Sequence, residues 1–232
     1  MGNKESLLGL GEGASGGRTA AGSWLYELAK CAIDPIVSFL VLLFCLPLLP
    51  LVALAIKLES RGPVFFCQER AGRNGVPFTM FKFRSMRADA ERKKSPSAGR
   101  NGPVFKLEDD PRVTRVGRWL RRTSLDELPQ FVNVLIGDMS LVGPRPLPLR
   151  DVNDRRSLPE GVTASEVNDW VQLRQTVRPG ITGLWQVSGR SLLPLDEWLR
   201  YDLRYVRERS MALDLKILVL TPFVALRGRG AV

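Results

Sequence analysis

From Pro35 to Ile56 the chain reads PIVSFLVLLFCLPLLPLVALAI, without one charged side chain. As a single helix this run would be about 33 Å long, enough to cross the hydrocarbon core of a bilayer. It starts too far from the N-terminus, and lacks the small-residue cleavage site, to be a signal peptide. A buried core helix is the competing reading, but such a run is long for that role, so membrane insertion is expected. Pro47 and Pro50 fall inside it. A mid-helix proline removes a hydrogen bond and clashes with the preceding turn, so the helix should kink. The segment either spans with a kink, or enters, bends near Pro47 and leaves on the same face. Lys30 before the run, and Lys57 and Arg61 after it, suit a cytoplasmic surface. Lys30 is expected among lipid headgroups, and Asp34 in water. No second run of this length follows, so everything after Lys57 is expected on one side.

The chain has 232 residues and a formal net charge of +10. That excess calls for an anionic partner: nucleic acid, lipid headgroups or a phosphorylated substrate. With 44% hydrophobic residues it can bury a core. The three cysteines, Cys31, Cys45 and Cys67, form no CxxC pair. They read as free thiols buried as small hydrophobes. There is no histidine. Ser-His-Asp and Cys-His machinery and His-ligated zinc are therefore excluded, and carboxylates, Lys, Tyr or Cys must do any chemistry.

Residues 1–22, rich in Gly, Ser and Ala, read as a flexible tail. Met1 to Ser6 satisfies the short myristoylation pattern, which chance explains as well. Residues 23–60 form the membrane segment and 61–232 the catalytic part. The stretch 63–86 reads as a β-hairpin, with Gly72-Arg-Asn-Gly75 as its turn. Ala88 to Lys94 continues as a charged helical stub, and Ser95 to Gly102 as a loop. After Pro111 the pattern becomes helical, with Val113, Val116, Trp119 and Leu120 on one stripe. Leu195, Trp198, Leu199 and Leu203 stripe a later helix. Leu213 to Leu226, broken by Pro222, suits an interfacial helix. The fold class expected is α+β and mostly helical.

Ser124-Leu-Asp-Glu127 has the form of a capping box, which would give both acids a structural job at a helix N-terminus. Chemistry competes with that reading. Arg121 and Arg122 put cations beside the pair, and without histidine a carboxylate is a leading nucleophile. Aspartate can attack phosphorus once cations offset the repulsion between two anions. Mg²⁺, which takes carboxylate and phosphate oxygens, would serve that purpose. Gly143-Pro-Arg-Pro146 and Arg178-Pro-Gly180 each fix an arginine on a stiff turn, a useful fork for phosphate.

Taken in order, the Pro-broken apolar segment, GPVFFCQERAG (62–72), FKFRSM (81–86), SLDELPQFVNVLIGDMSLVGPRP (124–146), RPGITGLWQVSGR (178–190) and LDLKIL (213–218) resemble the bacterial sugar transferases, the monotopic phosphoglycosyl transferases. The resemblance runs from about residue 30 to about residue 226 and is to the family's minimal catalytic form. It implies transfer of a sugar-1-phosphate from a UDP-sugar to undecaprenyl phosphate, with release of UMP. It implies Mg²⁺ and an Asp126-Glu127 dyad, with Asp126 as nucleophile and metal contact. Glu127 would be either a general base or a second metal-site carboxylate. It implies a re-entrant helix hairpin bent at Pro47, where Leu46 stands in place of the serine of some relatives. It places the protein on the cytoplasmic face of the bacterial inner membrane, among phospholipids. GLWQVSGR is closer to members that use plain hexoses.

The substrate-binding candidates are Arg121, Arg145, Arg178, Arg190, Asp202 and Lys82. Arg178 and Arg190 could equally face lipid phosphate, Asp202 a solvated helix face, and Lys82 the end of a strand. No nucleic-acid-binding motif appears. A homodimer is compatible with the sequence, and nothing in it requires one. The rivals are a non-catalytic basic membrane protein and a phosphohydrolase with water as acceptor.

Overall fold

The computed structural model describes residues 20–87, 110–149, 164–189 and 195–227. Residues 1–19 of the expected tail, the charged stub, the loop after it and Arg190 lie outside the described residues, while the last three residues of that tail, 20–22, are helical and not tail. Helix α1 begins at Ala20 and runs to Cys45, and α2 runs from Leu48 to Glu59. The break falls at Leu46–Pro47. Leu46 N reaches back only to Leu43 O, at 3.3 Å, and Pro47 has no N–H to offer. Pro50 sits in the first turn of α2, where a missing N–H is harmless. Among the described residues, Trp24–Cys45 is the one helix long and apolar enough to cross a membrane. Around the break, Phe39, Leu40, Leu43, Phe44, Leu46 and Leu51 are exposed, Phe44 by 86%. An apolar patch of this kind is not left in water by a soluble protein.

The two ends of this helix pair are polar and tied to the body. In α1, Lys30 is buried and donates to Asp214 Oδ2 at 2.7 Å and to Val142 O at 3.3 Å. Asp34, also buried, accepts from Ser140 Oγ at 2.6 Å and lies 3.7 Å from Lys30. Tyr26 and Tyr205 complete the cluster by donating to Asp214, both at 2.9 Å. This corrects two expectations: Lys30 does not meet headgroups and Asp34 does not meet water. A charged pair removed from water persists only when its hydrogen bonds are satisfied, and partners far along the chain satisfy these.

The hairpin forms as its turn residues predict. Strands β1 (Phe65–Ala71) and β2 (Pro77–Phe83) pair antiparallel, from Phe65 opposite Phe83 to Ala71 opposite Pro77. Asn74 (φ 56°) and Gly75 (φ 76°) supply the left-handed turn. Phe78 and Met80 point into the core, where Met139, Leu141 and Ile217 meet them. Phe83 joins Leu120 and Leu128 against Val52 and Ile56 of α2.

The rest is mainly helical: α3 (Arg115–Thr123), α4 (Gln130–Leu135), α5 (Ala164–Gln175), α6 (Leu184–Ser188), α7 (Leu195–Glu208) and α8 (Met211–Arg227). Trp198, Leu199 and Leu203 of α7 are buried, as their stripe predicts, against Trp170 of α5 and Trp185 of α6. In α8, Ile217 is buried while Leu215, Val219 and Phe223 are exposed. In α3, Leu120 is buried while Trp119 is half exposed beside exposed Arg118 and Arg122. The thiols are free, but Cys31 and Cys67 are exposed and Cys45 half-buried, so they are not the buried hydrophobes expected.

A second small sheet was not legible in the sequence. Strand β3 (Ser140–Val142) pairs parallel with β4 (Gly180–Thr182). Gly143 N donates to Thr182 O and Gly180 N to Pro144 O, both at 2.9 Å. The backbones approach so closely that a Cβ on Gly143 would strike the Arg178 carbonyl, and one on Gly180 the Gly143 amide. Thus the two Pro-flanked arginine turns lie side by side.

Candidate active site

Helix α3 delivers the acidic pair. Its N-terminus is capped by Thr114 Oγ1 on Gly117 N, at 2.9 Å, and by Glu59 of α2 on the amides of Arg115 and Val116. A side chain on Gly117 would collide with the Ser85 carbonyl, so α3 can lie against the end of β2. There Arg121 Nε donates to Ser85 Oγ at 2.9 Å. The helix stops at Ser124, whose φ of 59° is left-handed. A 3₁₀ turn, Leu125–Glu127, then carries both acids, and Pro129 leads into α4.

The capping box therefore does not form. Ser124 ends the preceding helix, and its side chain caps nothing in the turn that follows. Glu127 has other partners. Its Oε1 accepts from Arg145 Nη2 at 2.6 Å and from Lys82 Nζ at 2.8 Å. Asp126 is buried, with 9% of its surface exposed. Lys82, Arg145 and Arg121 all lie close enough to feel its charge.

The electrostatics follow from this crowd. Burial alone would push the Glu127 carboxyl up, but Arg145 and Lys82 outweigh it and hold it well below the usual carboxylate range. Burial pulls the Lys82 ammonium down, against the attraction of Glu127. Burial also opposes the Arg145 charge, yet Glu127 more than compensates and holds it up. Arg121 is pulled down by burial, with Asp126 and Asp110 working the other way. The result is one buried carboxylate beside a second that is already neutralised. A carboxylate clamped this way is a poor proton acceptor and a good organiser of two cations.

Arg145 is held from behind. Its carbonyl accepts from Arg174 Nη2 at 2.5 Å, and the Pro146 carbonyl from Arg70 Nη1 at 3.0 Å. Arg174 pairs with Asp202 at 3.0 Å and stacks over the Trp170 ring, 4.5 Å from its centroid. Asp202 is 1% exposed, so it does not lie on a solvated helix face. Burial pushes its carboxyl up to about 6, with Arg174 resisting. Arg178 is directed elsewhere, donating to Cys31 Sγ of α1 at 3.5 Å. Of the named candidates, the fold thus gathers Asp126, Glu127, Lys82, Arg145 and Arg121. The sequence analysis gave no role to Arg174, Arg70 or Ser85, although Arg70 and Ser85 lie within GPVFFCQERAG and FKFRSM, because the groups they hold are far along the chain.

Among the described residues no three Asp, Glu, Cys or His side chains cluster as a metal site. Glu127 is bound by two cations, and Asp126 is the second carboxylate of the turn. One carboxylate plus substrate phosphates is a normal donor set for Mg²⁺, so the residues fit it.

A buried carboxylate ringed by cations, carried beside an apolar helix pair, defines an acid-and-cation site suited to phosphoryl oxygens. Sequence comparison makes the assignment specific. The profile described as bacterial sugar transferase matches residues 25–228, and the chain belongs to that family. It is 44% identical over 211 residues to the galactosyl transferase CpsE of Streptococcus agalactiae, covering 88% of this chain and 43% of that protein. It is 44% identical over 206 residues to the UDP-glucose:undecaprenyl-phosphate glucose-1-phosphate transferase of Escherichia coli, covering 87% and 41%. It is 38% identical over 211 residues to the exopolysaccharide production protein ExoY of Sinorhizobium fredii, covering 88% of each. The chain thus spans about two fifths of the length of the first two relatives and most of the third.

Proposed function

We propose that this chain transfers a sugar-1-phosphate from a UDP-sugar to undecaprenyl phosphate and releases UMP. The observation that carries this reading is the buried Asp126 on the same 3₁₀ turn as Glu127, which is clamped by Lys82 and Arg145. The names of the relatives support the substrate classes.

In the first step an Asp126 oxygen attacks the sugar-bearing phosphorus. The bond from that phosphorus to the bridging oxygen breaks, and UMP leaves with the electron pair. In the second step an oxygen of undecaprenyl phosphate attacks the same phosphorus. The aspartyl–phosphorus bond breaks, the carboxylate is regenerated, and a lipid diphosphate sugar forms. Lys82, Arg145 and Arg121 lower the repulsion between the anions and stabilise charge on the phosphoryl oxygens. Glu127 fixes Lys82 and Arg145 in place. Mg²⁺ bound at Asp126 would add charge neutralisation on the diphosphate.

The same proposal extends to the setting. Residues 23–60 form a re-entrant segment bent at Pro47, and residues 61–232 lie on the cytoplasmic face of the inner membrane among phospholipids. Both ends of the helix pair are tied to one body, and the exposed apolar side chains crowd its bend, which supports entry and exit on one face. Exposed Trp119 with Arg118 and Arg122, and the bare apolar face of α8, suit the headgroup plane. Confining both reactants there supplies proximity.

The test is UMP release by purified protein with Mg²⁺, undecaprenyl phosphate and a panel of UDP-sugars. UMP with one sugar, dependent on the lipid for turnover, is expected. Sugar phosphate released to water without lipid would make the protein a phosphohydrolase instead. No UMP from any sugar would remove the reading.

A further inference from the structure

The segment FKFRSM does more than place Lys82. Arg84, two residues further on, is 6% exposed, and none of the ion pairs among the described residues includes it. Its guanidinium instead closes over the last turn of α2. Nη2 donates to Ser60 O at 2.7 Å, to Ser60 Oγ at 2.9 Å and to Ile56 O at 3.5 Å. Nη1 donates to Arg61 O at 3.0 Å. A helix C-terminus presents carbonyls without partners and a partial negative charge, and a cation there answers both.

The neighbours of Arg84 hold the catalytic side. Lys82 binds Glu127, and Ser85 binds Arg121. In extended chain, Lys82 and Arg84 lie only ~7 Å apart, a distance the backbone cannot change. The end of β2 is therefore a short strut with the acidic pair at one side and the exit of the membrane segment at the other. Glu59, the last residue of α2, makes a parallel joint by capping α3, which leads to Asp126.

We propose that Arg84 is a positioning residue that sets the height of Asp126 relative to the membrane plane, and so serves the lipid-acceptor step and not the donor step. The proposal rests on the transferase reading above. A water-soluble donor approaches the site at any height. A phosphate anchored to a polyprenyl chain sits at a fixed level, and a mismatch of about 1 Å in a reacting pair can cost ~100-fold in rate.

The experiment compares wild type, Arg84→Gln and Arg84→Lys in nanodiscs, with Mg²⁺ and the UDP-sugar the wild type accepts. Three rates are read: the acceptor-independent burst of UMP, turnover with undecaprenyl phosphate in the bilayer, and turnover with a short-chain, water-soluble prenyl phosphate. In Arg84→Gln, turnover with the bilayer acceptor should fall ~10- to 100-fold, while the burst and the soluble acceptor stay within about threefold. Arg84→Lys keeps the charge but not the fork, and should fall between. Should Arg84→Gln fail to fold by tryptophan fluorescence, the ratio of the two acceptors in Arg84→Lys decides. Equal losses with both acceptors, or a lost burst in folded protein, would overturn the proposal. Wild type that releases no UMP at all would remove the transferase reading, and this proposal with it.

Discussion

Two carboxylates largely withdrawn from solvent are held in opposite ways in this protein. Glu127 has two cations on one oxygen and is kept ionised well below the usual carboxylate range. Asp202 has one cation, Arg174, is 1% exposed, and is pushed up to about 6 by burial. Burial works in the same direction on both, so the count of cations decides the outcome. The site spends two positive side chains on one acid and thereby fixes both of them beside Asp126. The support beneath spends one, and works through the Arg145 carbonyl without reaching the reacting atoms. The difference teaches that burial and charge alone do not separate a catalytic acid from a supporting one. The partners do.

The comparison can be broken or sharpened by substitution. The largest effect is expected outside both pairs, at the acid they serve. Asp126→Asn should cut steady-state UMP release by about three orders of magnitude or more, as removal of a nucleophile does, with the melting temperature little changed. Next is Glu127→Gln. A neutral amide leaves Lys82 and Arg145 repelling each other, and kcat should fall ~100-fold. A pH profile of the same shape in wild type and variant would agree with an organiser; an acid limb present in the wild type and lost in the variant would show instead that Glu127 is a base.

A smaller effect belongs to the support. Arg174→Lys loses the planar stack on Trp170 that aims one nitrogen, Nη2, at both Asp202 and the Arg145 carbonyl, and should lower kcat about tenfold. The deficit should appear in kcat/KM for the UDP-sugar, read from initial rates of UMP release. Smallest in activity is Asp202→Asn, whose signature is in stability. The folded pKa of Asp202 is raised, so the native state binds the extra proton between the ordinary value of 3.8 and about 6. Stability from this group is fully present at low pH and declines as pH rises through that window, by roughly 3 kcal/mol in all. The melting temperature of wild type minus that of Asp202→Asn should therefore fall between pH 4 and pH 7. Glu127 carries the opposite sign. Its folded pKa is depressed, so its contribution is present above pH ~4.5 and is lost as pH falls further.

What the sequence revealed was local. Gly72 to Gly75 marked the hairpin turn, Pro47 the break between α1 and α2, and the stripe of Trp198, Leu199 and Leu203 the inner face of α7. At the acidic pair the residues alone left a capping box and phosphoryl chemistry both open, and it was the resemblance of the ordered motifs that pointed to a dyad. What stayed hidden was long-range. Lys30 finds Asp214, and Tyr26 finds Tyr205, across most of the chain. No spacing rule reaches that far, so Lys30 and Asp34 read as surface charges when they are interior ones. Ser124 misled for a different reason. The capping box is a local pattern, but α3 ends on the same serine in a left-handed conformation, and its side chain makes no cap bond to the turn that follows. Asp202 read as a possible solvated charge because its partner, Arg174, lies on a separate helix.

The central claim is that Asp126 takes up the phosphosugar. The most direct test is intact-protein mass spectrometry after brief mixing with the accepted UDP-sugar and Mg²⁺, without lipid. The account predicts a mass increase of one sugar phosphate, mapped to Asp126, discharged by undecaprenyl phosphate and absent in Asp126→Asn. An unmodified protein that nonetheless turns over on addition of lipid, or a label mapped to another residue, would contradict it.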